Sequence, residues 1–511
     1  MEQQMEERHL VWRKNAPFFY DAILSHRFDW PSMTVECFPP AQASSSSGAV
    51  RLLLGTATDG TEPNFLVQAE ARIPQPSLEI DPIVCETYSG FTAPRSKVTR
   101  GAPPPAGAGP LEIKALLVHP GNVSRARLRP LNPLHIASCT PDGLVLFWDY
   151  SKHPSFPSSP PPTGGAAAAV GSGGGHGGGG PHVAKPQMAL LGHGKASVEG
   201  LSWSAADPRR LSSADSAGVC CLWDLASSTS SSGDEGATKP GDVASGGVQI
   251  AEKTPQAHPV RVFDLKQGGR QGRAPLNDLE QHPHHPHLAA VAAEDGSCIL
   301  LDWRQQDAIT ATAVTVSKGA AANAVSWSPQ EPCVFSVGDS AGIISLFDTR
   351  SLQQPLLSLS AGSCPLGASS EGDPARVGDS SISTVRFHPD FAHLLGAATE
   401  DGTVAVWDLV AASAPQQRQQ KGEAMQTGET TEELTNGVAK GPPGLLFVHA
   451  GHSAPITDFC WRTSHVPPPS RNTSSSGSSV HHLRQSLLGA SVSFDNKVQL
   501  WQPSELLLIQ P

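Results

Sequence analysis

The sequence predicts an all-β fold, a seven-bladed WD40-type β-propeller with an N-terminal α-helix packed on the last blade. Three observations predict it: strand groups that end in an aromatic residue and an aspartate, hairpin turns ahead of those groups, and an apolar stretch with helical spacing before the first strand. Each repeat of this kind supplies one four-stranded blade, and a ring of such blades buries a continuous core.

The aromatic-aspartate endings recur along the whole chain. They are Phe147-Trp148-Asp149, Leu222-Trp223-Asp224, Leu301-Asp302-Trp303, Leu346-Phe347-Asp348, Val406-Trp407-Asp408 and Leu500-Trp501. A turn precedes most of them, as in Glu400-Asp401-Gly402 ahead of the β-rich residues 403–406. A further blade without this ending is visible at 51–56 and 64–69, which brings the ring to about seven blades.

The N-terminal segment is spaced first like a helix and then like a strand. Apolar residues recur every three or four positions over 10–24, and Asn15 is a suitable N-cap, so we expect a helix over about 17–26. Residues 33–37 then alternate between apolar and polar, which indicates a strand. Because this strand precedes all of the blades, we expect it to close the ring as the outer strand of the last blade.

Composition bounds the kind of partner. The formal net charge of −11 argues against a general nucleic-acid binder and suits a partner rich in lysine and arginine. The 9 cysteines contain no C-x-x-C pair and indicate reduced, buried thiols. The N-terminus is charged and no apolar run is long enough to cross a bilayer, so we expect a soluble, intracellular protein.

The domain organisation follows from the repeats and the inserts between them. We expect a helix segment over 1–29, the propeller over 30–503 and a tail over 504–511. Stretches rich in Gly, Pro, Ala and Ser bury too little apolar surface to offset the entropy of ordering, so we expect disordered loops on the propeller rim. These inserts are 41–48, 101–110, 153–186, 226–248, 361–379, 411–441 and 464–480.

The last repeat contains residues that could be mistaken for a hydrolase triad. His452, Ser493 and Asp495 occur there together with Trp501. The spacing favours the structural network of WD blades, in which a histidine, a strand serine, a turn aspartate and a tryptophan hydrogen-bond to hold the turn. No G-x-S-x-G motif accompanies them, and only this repeat carries the whole set. We expect no catalysis.

Two other clusters have simple interpretations. His282, His284, His285 and His287 alternate with prolines, and no cysteine or carboxylate completes a tetrahedral metal site, so we expect a solvated connection. The glycines over 171–180 lack a G-K-[ST] motif and indicate a linker, not a phosphate-binding loop. The sequence therefore predicts neither a metal nor a cofactor.

The N-terminal motif resembles the corresponding segment of the histone-binding WD-repeat proteins, the retinoblastoma-associated family that includes the small WD-repeat subunit of chromatin assembly factor. Residues 149–157 are similar to that family's second blade, and 441–459 resemble its G-P-P-E-L-L-F-x-H-x-G-H run. The matching N-terminal residues are Trp12, Lys14, Asn15, Pro17, Phe18, Tyr20, Asp21, Trp30, Pro31, Ser32 and Thr34.

The resemblance implies a groove between the N-terminal helix and the diproline loop, which in the family accepts the first helix of histone H-four. The implied groove residues are Phe18, Phe19, Ala22, Ile23, Pro442, Pro443, Leu445, Leu446 and Phe447. The implied acidic residues, which would meet lysine and arginine of the histone, are Glu429, Glu432 and Glu433. A plainer interpretation of the Leu-Leu-Phe run is an outer strand beneath the helix.

The chain departs from the family at several positions. Gly444 replaces a glutamate and Lys440 replaces an acidic residue, which weakens the negative wall of the groove. At the family's second site, which holds the histone H-three tail on the top face, an insert over 268–273 adds positive charge. The residues at the matching positions are mostly uncharged, which weakens the expectation of that site; they are Asn122, Ser124, Phe263, Ser381 and Ser383.

The resemblance implies a non-catalytic histone-binding chaperone or scaffold subunit of nuclear complexes for chromatin assembly, deacetylation, remodelling or methylation. Its expected partners are core histones and other chromatin-complex subunits, with neither sequence-specific nucleic acid nor a membrane. The alternative is a propeller scaffold for another assembly process, such as ribosome biogenesis, in which the N-terminal helix only packs.

Overall fold

The computed structural model describes residues 2–40, 49–72, 90–92, 111–157, 183–226, 249–251, 253–265, 274–305, 312–361, 380–420, 442–463 and 487–504. Within them, seven largely antiparallel sheets form the blades of a β-propeller, and the innermost strands of neighbouring blades contact each other around a closed ring. The predicted fold is confirmed. None of the helices in the described residues combines the length and the apolar character needed to span a membrane.

Blades 1 and 2, each given from the ring centre outward, contain β2 (Ser32–Cys37), β3 (Ala49–Thr56), β4 (Asn64–Arg72), β6 (Leu111–His119); and β7 (Arg125–Leu128), β8 (His135–Cys139), β9 (Val145–Asp149), β11 (Met188–Leu190), β16 (Gln256–Ala257). Blades 3 and 4 contain β12 (Val198–Trp203), β13 (Arg210–Asp215), β14 (Val219–Asp224), β17 (Arg261–Asp264); and β18 (Leu276–Gln281), β19 (Leu288–Ala293), β20 (Ser297–Asp302), β21 (Thr312–Thr315).

Blades 5 and 6 contain β22 (Ala322–Trp327), β23 (Val334–Asp339), β24 (Ile343–Asp348), β25 (Leu357–Ser360); and β26 (Ile382–Phe387), β27 (Leu394–Thr399), β28 (Val404–Asp408), β29 (Leu445–His449). Blade 7 contains β30 (Ile456–Trp461), β31 (Gly489–Ser493), β32 (Lys497–Pro503), β1 (Tyr20–Arg27), β5 (Gly90–Thr92). Outside the blades lie a short parallel pair, β10 (Val183–Ala184) with β15 (Gln249–Ile250), and the helices α1 (Glu2–Phe19), a 3-10 turn (Tyr150–Lys152) and α2 (Leu409–Gln420).

The ring is closed by β1, not by the strand that the sequence pattern indicated. β1 pairs antiparallel with β32, from Tyr20 opposite Pro503 to Arg27 opposite Lys497, and β5 pairs with its other edge. The strand expected over 33–37 is instead the innermost strand of blade 1. The helix expected over 17–26 is therefore wrong, because residues 20–24 are a fully buried apolar run whose spacing does not distinguish strand from helix.

The helix lies earlier in the chain than expected. Residues 2–14 are rich in Glu, Gln, Met, Arg and Lys, which favour helix, and Pro17 falls in the last turn of α1. Asn15 is not an N-cap, because it lies inside α1 and its side-chain amide donates to the carbonyl of Val11 at 3.1 Å. A second helix, α2, occupies residues where a disordered loop was expected, and the Asp408 carboxylate accepts from the N–H groups of Val410 and Ala411 at its start.

Adjacent blades are joined by a recurrent hydrogen bond, here called the inter-blade bond. In it, the side chain of the fifth residue of one innermost strand accepts from the backbone N–H that follows the equivalent position in the next blade. The N–H to acceptor distances lie between 2.6 and 3.3 Å. The acceptors are Glu36, Ser202, Glu280 and Ser326, and the donors are Leu128, Gln281, Trp327 and Phe387.

A buried ion cluster lies where blade 7 meets blades 1 and 2. Asp458 on β30 is fully buried, and its carboxylate lies 3.0 Å from the Arg127 guanidinium and 3.7 Å from that of Arg125. The same carboxylate accepts from the Val35 N–H at 3.0 Å. Burial by itself would raise the pKa of Asp458, but the positive charge of Arg127, Arg125 and Arg386 outweighs it and lowers that pKa.

Candidate functional site

Helix α1 lies at the junction of blades 6 and 7, where three contacts position it. The Arg8 guanidinium is 2.8 Å from the carboxylate of Asp401, in the turn between β27 and β28, and also donates to the Asp401 carbonyl. The Trp12 indole N–H donates to the Tyr20 hydroxyl at 2.8 Å, and that hydroxyl lies 2.8 Å from Nδ1 of His449 on β29. The helix is therefore anchored to the propeller at both its middle and its C-terminal end.

The Trp12–Tyr20–His449 chain has a defined direction. An indole N–H only donates, so the Tyr20 hydroxyl accepts from Trp12 and gives its own proton to Nδ1 of His449. Nδ1 must then be an acceptor, which requires a neutral imidazole. Burial keeps it neutral by lowering the pKa of His449 well below its ordinary value, and burial likewise raises the pKa of Tyr20.

The opposite side of α1 is an exposed apolar face. With 3.6 residues per turn, Leu10, Val11 and Phe18 fall within about 100° around the helix axis, opposite the buried residues Met5 and Ala16. All three are more than half exposed, and Phe18 reaches 65%. A set of large apolar side chains in water on one face of a helix is typical of a surface that a partner covers.

The diproline segment is a tight turn that glycine makes possible. The Leu445 N–H donates to the Pro442 carbonyl at 3.1 Å, with Pro443 and Gly444 between them, and Gly444 has φ +84°. Proline at the first central position and a left-handed residue at the second are the requirements of a type II turn. A Cβ at Gly444 would lie 2.5 Å from the Cβ of Ala412 in α2, which explains why the glutamate of the family is absent here.

We expect Gly444→Ala to lower the free energy of unfolding by about 1–3 kcal/mol more than Gly60→Ala, because overpacking adds to backbone strain at Gly444 alone. Gly60 is a matched control, since it has φ +89° but no atom within 4 Å of the position that an added Cβ would take. Urea unfolding of the two variants measures the difference. Equal losses would mean that the contact with α2 contributes nothing.

The helix and the diproline turn are brought to the same side of the propeller by β29. Trp12 contacts the His449 ring, with centroids 6.0 Å apart, and Tyr20 contacts the Phe447 ring at 5.2 Å. Helix α1 thus runs along β29 towards Leu445, where the diproline turn begins. Its last turn, which carries Phe18 and Phe19, lies towards that end, and Phe18, Phe19 and Pro443 are exposed.

Other residues implied for the groove have different surroundings. Ala22 and Ile23 lie in β1 and are buried in blade 7, with 4% and 2% of their surfaces exposed, so they do not face an open groove. Phe447 is buried beneath Tyr20, whereas Leu445 and Leu446 are half-buried on β29. The acidic residues Glu429, Glu432 and Glu433, like Lys440, lie outside the described residues.

The histidine network of the last blade uses a different serine from the expected one. Nε2 of His452 lies 2.8 Å from the Ser491 hydroxyl, which also accepts from the Trp501 indole at 3.3 Å, while Nδ1 lies 3.3 Å from the Asp495 carboxylate. Ser493 instead donates to a backbone carbonyl, that of Ala454. Side chains alternate along β31, so the choice between serines two residues apart depends on register and not on sequence spacing.

Blade 3 carries an equivalent network that was not predicted from the sequence. Nδ1 of His193 lies 2.7 Å from the Asp215 carboxylate, Nε2 lies 2.5 Å from the Ser213 hydroxyl, and the ring contacts Trp223. The Gly-His pair, the strand serine and the Trp-Asp ending were all present as signals. The recurrence of the network in two blades indicates a structural role for its histidines, since a catalytic triad is not expected twice in one ring.

The remaining histidine and top-face candidates take part in the propeller's own contacts. Nδ1 of His282 accepts from the N–H groups of His284 and His285, which holds the turn that follows β18. No three His, Cys, Asp or Glu side chains of the described residues are grouped as metal ligands would be. Phe263 is buried and stacks on Trp303 at 5.2 Å, and the insert over 268–273 lies outside the described residues.

Three other top-face candidates also have partners within the chain or are buried. The Asn122 carbonyl oxygen accepts from the backbone N–H of Thr58 at 3.0 Å. The Ser381 hydroxyl accepts from the Asn323 amide at 2.9 Å, and the Ser383 hydroxyl is buried. The Ser124 N–H donates to a backbone carbonyl at 3.0 Å. Their side chains and backbone groups therefore contribute to the packing of the blades.

Two family models match the chain at the parts just described. The model for histone-binding protein RBBP4, or the equivalent subunit of the CAF1 complex, matches residues 7–75, which span α1, β1 and the first three strands of blade 1. The model for the WD domain, G-beta repeat, matches residues 372–408, which include β26, β27 and β28 of blade 6. The chain is thus a WD-repeat β-propeller whose N-terminal segment is that of the histone-binding WD-repeat chaperones, as the sequence motifs indicated.

Proposed function

We propose that this chain binds the first helix of histone H-four between the exposed face of α1 and the diproline turn. The observation that carries the proposal is the apolar face of α1, which remains in water beside a rigid turn on the same side of the propeller. An amphipathic helix would bury its own apolar stripe against these residues. The groove residues of the proposal are Leu10, Val11, Phe18, Phe19, Pro443 and Leu446.

Charge supports a basic partner. The exposed Glu7 lies about 60° from Leu10 around the helix axis, on the apolar face of α1, where its carboxylate can pair with a lysine or arginine of the bound helix. The net charge of −11 favours encounter with a histone over the whole surface. The two exposed cations of α1, Arg13 and Lys14, oppose this effect locally, so apolar contacts must supply most of the affinity.

A scaffold role in nuclear chromatin complexes follows from this mode of binding. The propeller holds the groove on a closed ring of blades, and it leaves the other rim surfaces to further subunits. The histidine networks are occupied in holding turns, so we assign the chain no reaction of its own. In this role the protein presents histones to the enzymes or chaperones with which it assembles.

We expect Phe18→Asp and Leu446→Asp each to weaken binding of a synthetic peptide of the histone H-four first helix by about 30-fold or more, the effect of removing a central apolar anchor. The reason is that a carboxylate at either wall would be desolvated against the apolar stripe of the peptide. Isothermal titration calorimetry with purified full-length protein measures the change.

Phe156→Asp is the matched control, because Phe156 is 47% exposed near blade 2, away from α1. It should bind the peptide like the wild type, and all three variants should retain the wild-type circular dichroism spectrum. Wild-type affinity in both groove variants, or an equal loss in Phe156→Asp, would contradict the proposed groove.

A further inference from the structure

Two thiols meet where the ring closes. Sγ of Cys460 on β30 and Sγ of Cys37 on β2 are 3.5 Å apart, which places them in van der Waals contact between the last blade and the first. Cys460 is the fifth residue of its innermost strand, and Cys37 is the sixth residue of the next one. These are the positions of the inter-blade bond, at which other blades use a glutamate or serine acceptor.

The backbone around the pair is held on both sides. The Thr457 hydroxyl donates to the Ser32 carbonyl at 2.6 Å, and the Val35 N–H donates to Asp458 at 3.0 Å. The strands β2 and β30 are therefore already aligned over the residues that flank the cysteines. A disulfide needs the sulfur atoms to approach by about 1.5 Å, from contact to a bond of about 2.05 Å, which side-chain rotation can supply.

We propose that Cys37 and Cys460 form a reversible oxidation site, whose disulfide joins the first and last blades covalently. Cys460 is half-buried and Cys37 is buried, so an oxidant reaches Cys460 first. With a peroxide, the Cys460 thiolate attacks one oxygen and becomes a sulfenic acid, and the other oxygen leaves as water after protonation.

The Cys37 thiolate then attacks the oxidised sulfur, the S–S bond forms, and the sulfenic oxygen leaves as a second water. The two thiols together lose two electrons and two protons, which balance the reduction of one hydrogen peroxide molecule to two water molecules. The contact between the thiols and their burial both raise the pKa of Cys460, so oxidation is slow at neutral pH and faster in alkaline buffer.

The disulfide would change how the ring opens. Without it, closure depends on the pairing of β1 with β32 and on contacts between β2 and β30, all of which are lost together when blade 7 separates from blade 1. A bond between residues 423 positions apart in the chain would keep the two blades together when the rest of the closure fails. The N-terminal segment, which lies between α1 and β2, would then stay in place.

The test is oxidation of the folded, full-length protein with hydrogen peroxide at about pH 8.5, near the ordinary thiol pKa. We expect a species that migrates faster on non-reducing gels, because a long loop is closed, and a peptide pair joined through Cys37 and Cys460 in mass spectra. Its unfolding temperature should rise by several degrees and return to the original value with dithiothreitol.

Cys37→Ala and Cys460→Ala should each abolish the fast-migrating species, whereas Cys333→Ala, which removes another half-buried thiol, should retain it. Cys460→Ser repeats the test with a side chain of similar size, and circular dichroism establishes that each variant is folded. Absence of the linked peptides in folded wild-type protein whose Cys333 has been oxidised would overturn the proposal. A fast-migrating species that persists in Cys37→Ala would also overturn it.

Discussion

Asp458→Ala is expected to lower the free energy of unfolding by about 3–5 kcal/mol, the cost of leaving buried charges without their partner. The carboxylate is fully buried, and it lies within 3.0 Å of Arg127 and 3.7 Å of Arg125, both of which are nearly buried. Its removal also leaves the Val35 N–H without its acceptor at the ring closure. Urea unfolding, followed by tryptophan fluorescence, measures the loss.

The control separates burial from mere proximity of charge. Asp302 and Arg304 approach more closely, at 2.6 Å, but Arg304 is mostly in water, so Asp302→Ala should cost about 1 kcal/mol or less. Asp458→Asn should fall between the two variants, because it retains an acceptor for Val35 but loses the charge. A loss in Asp458→Ala no larger than that in Asp302→Ala would show that the cluster contributes nothing at the closure.

The pH dependence of stability gives an independent check on Asp458. Its pKa is lower in the folded protein than in the unfolded chain, so its contribution is complete above the ordinary carboxyl pKa and is lost as the pH falls below about 4. Asp458→Asn has no proton to gain at this position. The difference in stability between wild type and Asp458→Asn should therefore shrink on acidification and be largest at neutral pH.

The repeat pattern predicted the propeller well because each blade repeats the same signals. Strand endings such as Val406-Trp407-Asp408 and turns such as Glu400-Asp401-Gly402 are local, and each has one structural meaning. The closing strand has no such local signal. The residues of β1 read equally well as helix or strand, and only the free edge of β32, some 480 residues later in the chain, decides between them.

The candidate site was predicted in part for the same reason. The motif over 12–34 and the Pro-Pro-Gly turn are local patterns, and the structure places them on the same side of the ring. The anchors of α1 are not local. Arg8 and Asp401 are separated by 393 positions, and Tyr20 and His449 by 429, so no spacing in the sequence relates them. Which of Phe18 and Ile23 is exposed likewise depended on where α1 ends.

Tyr20→Ala is expected to cost about 3–5 kcal/mol of stability, the range for truncating a large buried aromatic side chain. Only 1% of the Tyr20 surface is exposed, its ring packs against Phe447 and His449, and its hydroxyl joins Trp12 of α1 to blade 6. Tyr20→Phe keeps the ring but leaves the Trp12 N–H and Nδ1 of His449 without a partner, so it should cost about 1–3 kcal/mol. Thermal and urea unfolding measure both losses.

The two variants also test whether α1 must be docked for histone binding. Loss of the Tyr20 hydroxyl releases the helix at its middle, so trypsin should cleave at the exposed Arg13 and Lys14 faster in Tyr20→Phe than in wild type. Binding of the histone H-four peptide should weaken in parallel, because an undocked helix presents no fixed face. Tyr150→Phe, which removes a half-buried hydroxyl in blade 2, should change neither measurement. If Tyr20→Phe binds the peptide as tightly as wild type while its helix is cleaved faster, then α1 is not a wall of the groove, and the exposed face of Leu10, Val11 and Phe18 serves another partner.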